Sequence, residues 1–231
     1  MTRIDHGLAR ESMRQQRPRG TTTRDSVVSA ALDVVDRVGS DGLTIRAVAA
    51  LVGAPPMSLY THFANKGELL DLMYVEISRR LYPDEVHPTW QTGLLALARH
   101  VRDTLLAHPR WTPLLARPAP PIAMPVRERI LRQMVEAGMS SEGALRGMSA
   151  ALVAAIGLSL VELTFLEPDG TSTFRRRFER QRSWLQTQQV PGVEPITREA
   201  FARVGVFEFE TNFEFSITAL LDGLEAGTRT R

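Results

Sequence analysis

Six polar residues between positions 46 and 66 have side chains suited to holding anions. They combine guanidinium, hydroxyl, imidazole and ammonium groups: Arg46, Ser58, Tyr60, Thr61, His62 and Lys66. Hydroxyl and imidazole groups commonly contact phosphate oxygens. A guanidinium can also read the O6 and N7 atoms of guanine through two hydrogen bonds. This cluster therefore predicts a surface for the phosphates and base edges of nucleic acid.

Two short helices around a glycine-containing turn must position these side chains. Segments 44–51 and 57–63 flank Gly53 and the pair Pro55-Pro56. Glycine permits a tight turn, and a proline in the first turn of a helix sacrifices no hydrogen bond, because N–H groups there have no helical partner. The prolines therefore mark the turn and the start of a second short helix.

A preceding helix completes this unit. Residues 24–38 place apolar side chains on one face, and Gly39 follows as a stop signal. Three helices in this order predict a helix-turn-helix, whose second helix enters the major groove. Its small core is expected to contain Val48, Ala49, Leu59 and Phe63. The alternative is an ordinary helical hairpin, in which Tyr60 and His62 are interface residues.

The stretch LTIRAVAALVGAPPMSLYTHFANKGELLDLM, residues 43–73, resembles the DNA-binding domain of the tetracycline-repressor (TetR) family. The shared positions are Thr44, Arg46, Ala49, Gly53, Leu59, Tyr60, His62, Phe63, Lys66, Leu69 and Leu70. The resemblance implies groove or phosphate contacts for Arg46 and Ser58. It also implies backbone contacts for Tyr60, His62 and Lys66, with Thr61 on the exposed face.

One departure from the family pattern lies in the turn. Many members have a hydrophobic residue followed by a capping Ser or Thr where this chain has Ala54-Pro55-Pro56. The base preference of the second helix therefore does not carry over from the resemblance.

Composition excludes several kinds of site. The chain has 231 residues and no cysteine, so disulfides and thiolate metal sites are impossible. No apolar run approaches the roughly 20 residues of a membrane span, and the first twenty residues lack the apolar core of a secretory signal. We expect a soluble, cytoplasmic protein with no membrane partner. Residues 1–24 hold six arginines against Asp5 and Glu11, a basic arm that is either a nucleic-acid contact or a solvated tail.

Helical periodicity dominates the remainder, which predicts an all-α fold. The expected divisions are a basic disordered arm at 1–22, a helix-turn-helix domain at 23–82 and a larger helical ligand-binding and dimerisation domain at 83–231. Helices are predicted at the following segments: 66–81, 90–107, 125–137, 141–166, 172–188 and 206–226. A linker is predicted at 190–195, and the prolines between 109 and 121 predict a broken connection.

The C-terminal domain resembles that of the tetracycline repressors, mainly through the closing FEFSITALLDGLEA. The resemblance implies a four-helix dimer interface, built from helices 141–166 and 206–226 of two subunits. The expected interface residues are Ala150, Ala154, Gly157, Phe213, Leu220 and Leu224. The alternative is that these stripes pack only within one subunit.

The resemblance also implies a small-molecule inducer inside this domain. Candidate ligand-binding residues are polar or soft side chains on apolar helices: His100, Trp111, Gln133, Met134, Met148, Glu162 and Phe165. For some of them a structural role is the alternative: a hydrogen-bonded structural histidine at His100, a salt bridge at Glu162 and core filling by the methionines. We identify no catalytic residues, no metal-ligand cluster and no cofactor motif.

The resulting hypothesis is a homodimeric, ligand-responsive transcriptional repressor that an inducer releases from pseudo-palindromic operator DNA. The competing classes are a DNA-tethered helical enzyme and a DNA-packaging protein that senses no ligand. The basic run FRRRFERQR at 174–182 is either a second nucleic-acid or membrane contact or a solvated helix face.

Overall fold

A computed structural model describes residues 22–115, 117, 124–166, 173, 179–180, 183 and 209–229. Over these ranges the chain forms eight α-helices: α1 (Arg24–Val38), α2 (Ile45–Val52), α3 (Lys66–Leu81), α4 (Trp90–Ala107), α5 (Thr112–Leu115), α6 (Pro125–Glu136), α7 (Ser141–Leu163) and α8 (Phe209–Arg229). Two 3₁₀ helices lie at Pro56–Thr61 and Pro109–Trp111. The predicted all-α fold class is confirmed.

Local signals set the ends of the first two helices. The Thr23 side chain accepts the N–H of Ser26 at the start of α1, and the Thr44 side chain accepts the N–H of Ala47 at the start of α2. These contacts satisfy N–H groups that have no helical partner. Gly53 ends α2 in the left-handed conformation, with φ 71° and ψ 31°, which glycine adopts without strain. The predicted glycine turn is confirmed.

The second short helix differs in form from its prediction. It spans Pro56–Thr61 rather than 57–63, and it is a 3₁₀ helix with Pro56 in its first turn. The Ser58 hydroxyl donates to the Pro55 carbonyl, and the Thr61 hydroxyl donates to the Ser58 carbonyl, each at 2.7 Å. These bonds reach three residues back, which matches the tighter i to i+3 winding of a 3₁₀ turn. We call this element the recognition helix.

The N-terminal unit has the small core that the sequence predicts. Val48, Ala49, Leu59 and Phe63 are each at most 3% exposed, and they lie beside buried residues of α1 and α3. Burial of Leu59 and Phe63 locks the recognition helix and the following turn onto α1 and α2. The opposite side of the recognition helix is thereby fixed toward solvent.

Helix α4 is the centre of the C-terminal part, where it packs against α3, α6, α7 and α8. Helix α7 buries Ala144, Met148, Ala151 and Ala155. The expectation that no apolar segment approaches the length of a membrane span is wrong, because among the described residues α7 alone is long and apolar enough to cross a bilayer. In this fold it is packed against α4, α6 and α8.

Several boundaries in the C-terminal part differ from prediction. Residues 109–115 form a 3₁₀ turn and α5 rather than a broken connection, and α7 ends at Leu163 rather than 166. Helix α8 extends to Arg229. Residues 1–21 of the predicted arm, nearly all of the predicted helix at 172–188 and the linker at 190–195 lie outside the described residues.

Candidate nucleic-acid interface and effector domain

Arg46 is an exposed cation beside the recognition helix. It lies in the first turn of α2, its side chain is exposed, and it makes no ion pair or side-chain hydrogen bond with any residue the structure describes. Helix α2 packs directly against the recognition helix, so this guanidinium lies on an element adjoining it. The five N–H donors of Arg46 are therefore free to contact a phosphate or a base edge.

The hydroxyl groups of the recognition helix are exposed, but their protons are already committed. Ser58 and Thr61 both donate to backbone carbonyls, as described above. A phosphate oxygen only accepts hydrogen bonds, so contact with phosphate requires these hydroxyls to rotate away from the carbonyls. In their present orientation they offer lone pairs to a donor.

Tyr60 and His62 occupy different environments. Tyr60 is 44% exposed, and its ring centroid lies 5.6 Å from that of the buried Phe63. His62 is half-buried and ends the recognition helix. The Tyr60 ring therefore packs against Phe63 and remains partly exposed to solvent.

Lys66 has a structural role that the sequence did not reveal. Its ammonium group donates to the carbonyl oxygen of Leu43 at 3.0 Å, which joins the start of α3 to the residue before the cap of α2. One of three N–H donors is used, so two remain for a phosphate oxygen. Lys66 thus fixes the position from which it can bind an anion.

Glu68 stabilises the loop between the recognition helix and α3. Its carboxylate accepts the backbone N–H of Ala64 at 2.6 Å and the Arg24 guanidinium at 3.0 Å. Asn65 caps α3 by accepting the N–H of Glu68. The sequence signal for this network is an acidic residue three positions after a capping Asn, whereas Arg24 is 44 positions away and gives no local signal.

Two polar ligand candidates of the effector domain are already hydrogen-bonded. The Nε2 atom of His100 lies 2.6 Å from the Arg80 carbonyl oxygen. The Gln133 side-chain amide donates to the His87 carbonyl at 3.0 Å. Both contacts connect neighbouring helices or their linker, so these side chains act as structural bonds in this state.

Glu162 forms a salt bridge between α7 and α4. Both of its oxygens accept hydrogen bonds from Arg102, at 2.8 and 2.9 Å, and the two side chains are only 13% and 15% exposed. The same guanidinium lies 5.6 Å from the ring centroid of Phe213. Phe213 is 3% exposed, so its own subunit covers the ring. This burial favours the alternative that Phe213 packs within its own subunit.

The remaining ligand candidates lie apart from the one cleft that is described among residues 83–126. Trp111, Met134 and Met148 are fully buried, while Phe165 is half-buried with its ring 5.7 Å from that of Phe209. A cleft of about 10 Å³ is lined by Pro83, Glu85, His87, Gly93, Ala96, Leu97, His100 and Val126. Of the seven candidates only His100 borders it. Drug-sized ligands occupy cavities of roughly 300–1,000 Å³, so this cleft has room for one water molecule.

A cluster of contacts joins the effector domain to α1. His108, after α4, is 2.9 Å from the Asp36 carboxylate. Arg110 donates to the carbonyls of Asp36 and Arg37 at the end of α1. His108 also stacks on Trp111, with ring centroids 3.7 Å apart and planes 7° from parallel. Residues 108–111 therefore hold α1 directly, and we call them the junction turn.

The indole nitrogen of Trp111 has no hydrogen-bond partner in the part of the chain that the structure describes. The ring is fully buried, and the Arg80 guanidinium of α3 lies 5.4 Å from its centroid. The junction turn therefore contacts both α1 and α3 of the DNA-binding unit.

An apolar face of α7 and α8 remains uncovered. The large exposed side chains are Leu145, Val153 and Val161 on α7 and Phe215 on α8. Ala150 and Gly157 lie exposed in the same stripe of α7, and Ala154 is half-buried. A methyl group added to Gly157 would meet no atom within 4 Å, so a second backbone has access there.

Val153, Val161 and Phe215 belong to this face but were not among the interface residues predicted from the sequence. For the two valines the sequence signal was their spacing: Val153, Gly157 and Val161 recur every four residues and therefore lie on one stripe of α7. Conversely, the half-buried Leu220 and Leu224 pack partly within the subunit. A methyl group added to Gly147 would lie 2.8 Å from a Leu224 methyl.

Comparison with known proteins identifies the family. Residues 27–73 match the model described as "Bacterial regulatory proteins, tetR family". Residues 82–228 match "Tetracyclin repressor-like, C-terminal domain", which is more than half of the chain. The chain belongs to the tetracycline-repressor family.

Individual relatives of the TetR family agree with this assignment. The chain is 29% identical to the HTH-type transcriptional repressor DrrR1 of Streptomyces coeruleorubidus, over 90% of this chain and 79% of the relative. It is also 29% identical to the class A tetracycline repressor from transposon 1721 of Escherichia coli, over 87% and 89% of the two chains. Both matches span the DNA-binding and effector parts.

Solved TetR structures have the same fold. A TetR transcriptional regulator of Streptomyces coelicolor superposes with a TM-score of 0.73 at 23% identity, over 90% of this chain and all of the other. The Streptomyces coelicolor protein ActR, in complex with actinorhodin, gives 0.72 at 22% identity over 90% and 99%.

TetR-family membership decides between the function classes. The chain is a DNA-binding, ligand-responsive transcriptional regulator of the repressor type, and it is not an enzyme. Among the described residues, no group of three or more His, Cys, Asp or Glu side chains could hold a metal ion.

Proposed function

We propose that this TetR-family chain acts as a homodimer that represses transcription from a pseudo-palindromic operator and leaves it when a small molecule binds the effector domain. The observation that supports this proposal most directly is the unpaired, exposed Arg46 beside an exposed recognition helix. A buried or paired guanidinium would not be available to DNA.

The proposed DNA contacts divide by chemistry. Arg46 is assigned a base edge or a phosphate, since its fork can serve either. Tyr60, His62 and Lys66 are assigned to phosphates flanking the groove. Ser58 and Thr61 are assigned to the groove surface, where their free lone pairs accept from base amino groups without breaking the bonds to Pro55 and Ser58.

Dimerisation is proposed through the uncovered face of α7 and α8. Small residues at Ala150, Ala154 and Gly157 allow two α7 helices to approach closely, and Val153 and Phe215 supply apolar area. Two recognition helices must then lie about one DNA turn, roughly 34–36 Å, apart to read both half-sites. This spacing makes operator affinity sensitive to small movements within each subunit.

The effector is proposed to bind by separating helices of the C-terminal domain. The 10 Å³ cleft beside α4 and α6 is far too small for an organic effector. Binding of an organic effector at this cleft would require α4 or its neighbours to move, which would break contacts such as that of His100 with Arg80. The junction turn transmits that movement to α1 and α3. The loss of operator affinity equals the differential affinity of the effector for the two states.

The proposed domains follow from the same division. Residues 23–82 form the DNA-binding domain, residues 83–231 form the effector and dimer domain, and residues 1–22 form a basic arm that adds phosphate contacts. The protein is proposed to act in the cytoplasm, where its DNA lies, and no cofactor is assigned.

Fluorescence anisotropy on labelled duplexes tests the proposal. The probes are a fragment from the protein's own upstream region, a duplex selected from a randomised pool, and a scrambled duplex of equal composition. We expect the selected or upstream duplex to bind about 10³-fold or more tightly than the scrambled one at physiological salt. Equal, steeply salt-dependent binding of all three would indicate a DNA-packaging protein and overturn the proposal.

The same signal finds the effector. Compounds are added to the complex of protein and selected duplex, and a true effector lowers the anisotropy at a concentration that rises with protein concentration. A compound that displaces the duplex equally well from an unrelated DNA-binding protein acts on the DNA, as an intercalator does, and is not an effector. Absence of any releasing compound from a broad library would contradict the ligand-responsive part.

A further inference from the structure

The recognition helix and its turn lack the side chains that usually read bases by paired hydrogen bonds. Residues 53–61, GAPPMSLYT, contain no Arg, Lys, Asn, Gln, Asp or Glu. Bidentate readout of guanine uses Arg or Lys, and bidentate readout of adenine uses Asn or Gln. The hydroxyl groups of Ser58 and Thr61 already donate hydrogen bonds to backbone carbonyl oxygens. Recognition of bases by this helix must therefore depend largely on contacts other than paired hydrogen bonds.

The 3₁₀ winding gives this short helix three distinct sides. With three residues per turn, positions i and i+3 lie above one another. Leu59 points to the core and is fully buried. Ser58 and Thr61 form a hydroxyl side, and Met57 and Tyr60 form an apolar and aromatic side.

Met57 is the most exposed large hydrophobic residue in the part of the chain that the structure describes. It is 77% exposed, and both Pro55 and Pro56 before it are exposed as well. No described side chain is placed to cover it, although the core of the same unit lies one residue away at Leu59. An apolar side chain at the tip of a DNA-binding element gains stability only when a ligand removes it from water.

We propose that Met57 is a specificity-determining residue that packs against the 5-methyl group of a thymine in the major groove, one in each half-site. This inference rests on the proposed operator binding. Thymine is the one base whose major-groove edge carries a methyl group. The unbranched, polarizable thioether side chain can follow that methyl without a fixed hydrogen-bond geometry.

Deoxyuridine substitution tests this contact, because it deletes the methyl group and leaves the pairing edge unchanged. Each thymine of one half-site in the selected duplex is replaced singly by deoxyuridine, and binding is measured by anisotropy. For the wild-type protein we expect one position whose replacement weakens binding about three- to tenfold. For Met57→Ala the thymine and deoxyuridine duplexes should bind equally at that position.

Matched variants separate this contact from general effects. Met57→Leu keeps an apolar side chain and should retain discrimination between thymine and deoxyuridine, whereas Met57→Gln, of similar length, should lose it. Val38→Ala removes an exposed apolar side chain from the end of α1, at 59% exposure, and should leave discrimination unchanged. Because Met57 is exposed, none of its variants should alter the melting temperature.

Two results would overturn the inference. Either the wild-type protein is indifferent to every thymine replacement, or Met57→Ala discriminates as well as the wild type. A change in assembly mass on Met57→Ala with unchanged discrimination would assign the residue to a protein contact. Failure to select any duplex would contradict the proposed function itself. A selected duplex whose binding is insensitive to deoxyuridine would contradict only the proposed Met57 contact.

Discussion

The two halves of this molecule present their functional side chains in opposite ways. In the DNA-binding unit, Arg46, Met57 and Tyr60 project from a small fixed core. In the effector domain, His100 and Glu162 are committed to internal contacts. DNA is a large, stiff ligand that meets a convex protein surface, so its site can be ready in advance. A small molecule must be enclosed, and the cleft beside His100 is far too small to enclose one.

This difference suggests how the protein switches. A site that opens only when helices separate binds its ligand at the expense of packing, so the ligand selects the opened state. The junction turn contacts α1 through the bonds of His108 and Arg110 to Asp36, so a movement of the effector domain reaches α1 through these residues. The DNA-binding unit can then remain rigid while its position changes.

The largest expected effect tests whether the uncovered face of α7 joins two subunits. Val153→Asp places a carboxylate in the proposed interface, where burial of an unpaired charge is strongly unfavourable. We expect a monomer by light scattering and at least about 100-fold weaker operator binding, since the two half-sites are no longer bound together. Val135→Asp is the control, since Val135 is a 41% exposed valine on α6. An unchanged mass for Val153→Asp would exclude this face.

The second prediction concerns the packed state of the effector domain. Arg102→Ala leaves Glu162 buried without its partner, and we expect a loss of about 3 kcal/mol in the free energy of unfolding, measured in urea. Arg146→Ala removes an exposed pair with Glu142, whose side chains are 79% and 73% exposed, and should change it by under about 0.5 kcal/mol. Equal effects of the two variants would show that the Arg102 pair is not a structural bond of this domain.

The third prediction tests the readiness of the DNA-binding unit. Arg46→Ala should weaken operator binding about 10- to 100-fold without altering the melting temperature, because the guanidinium has no partner to lose. Arg79→Ala removes a 72% exposed guanidinium near the far end of α3 and should have little effect. If Arg46→Ala relaxes preference at one base position, the contact is to a base; uniform weakening of all sequences identifies a phosphate contact.

Lys66 should show a mixed effect, because it belongs to both the fold and the proposed interface. Lys66→Ala removes the bond to Leu43 and should lower the free energy of unfolding by about 1 kcal/mol. It should also reduce the salt slope of DNA binding by about 0.9 for each subunit. Lys66→Arg should preserve the slope. A salt slope unchanged in Lys66→Ala would confine this residue to a structural role.

The smallest effect concerns acid stability at the contact between α4 and α8. Hydrogen bonds from Arg99 lower the pKa of Glu214 below its ordinary value of 4.5. A lowered folded-state pKa means that the contribution is present above the ordinary value and is lost as pH falls through the lowered one. Glu214→Gln should therefore flatten the acid limb of melting temperature against pH. Arg99 and Glu214 are 52% and 33% exposed, so solvent screening keeps the effect small.

The control for acid stability is Glu210→Gln on the exposed side of the same helix, which should follow the wild-type curve. A wild-type acid limb in Glu214→Gln would show that the pair with Arg99 does not contribute to folding in solution.

The DNA-binding unit was largely predictable because its signals are local. Gly53 and Pro56 each act on the backbone within a few residues, and the structure confirms the glycine turn and the first-turn proline. The 3₁₀ winding was not predicted, because apolar spacing over six residues does not distinguish a 3₁₀ helix from a short α-helix. The exposure of Met57 was also not predicted, because the DNA contacts predicted from the sequence were all polar or charged residues.

The effector domain was less predictable because its contacts join distant positions. Arg102 and Glu162 are 60 residues apart, and His108 and Asp36 are 72 apart. No pattern in the sequence pairs them. The helical periodicity of α8 correctly marked Phe213 as an apolar position, but it could not reveal that α4 of the same chain covers that ring.

Most helical segments among the described residues, the turn between α2 and the recognition helix, and the family could be predicted from the sequence alone. These features depend on backbone preferences and on motifs at fixed spacing. Only the tertiary structure decided which apolar faces are covered, which charges are paired and which side chains remain free for a ligand. The physical reason is that periodicity marks a face as apolar, whereas burial depends on what packs against it. That is why Phe213 is closed to a partner while Val153 and Met57 are open.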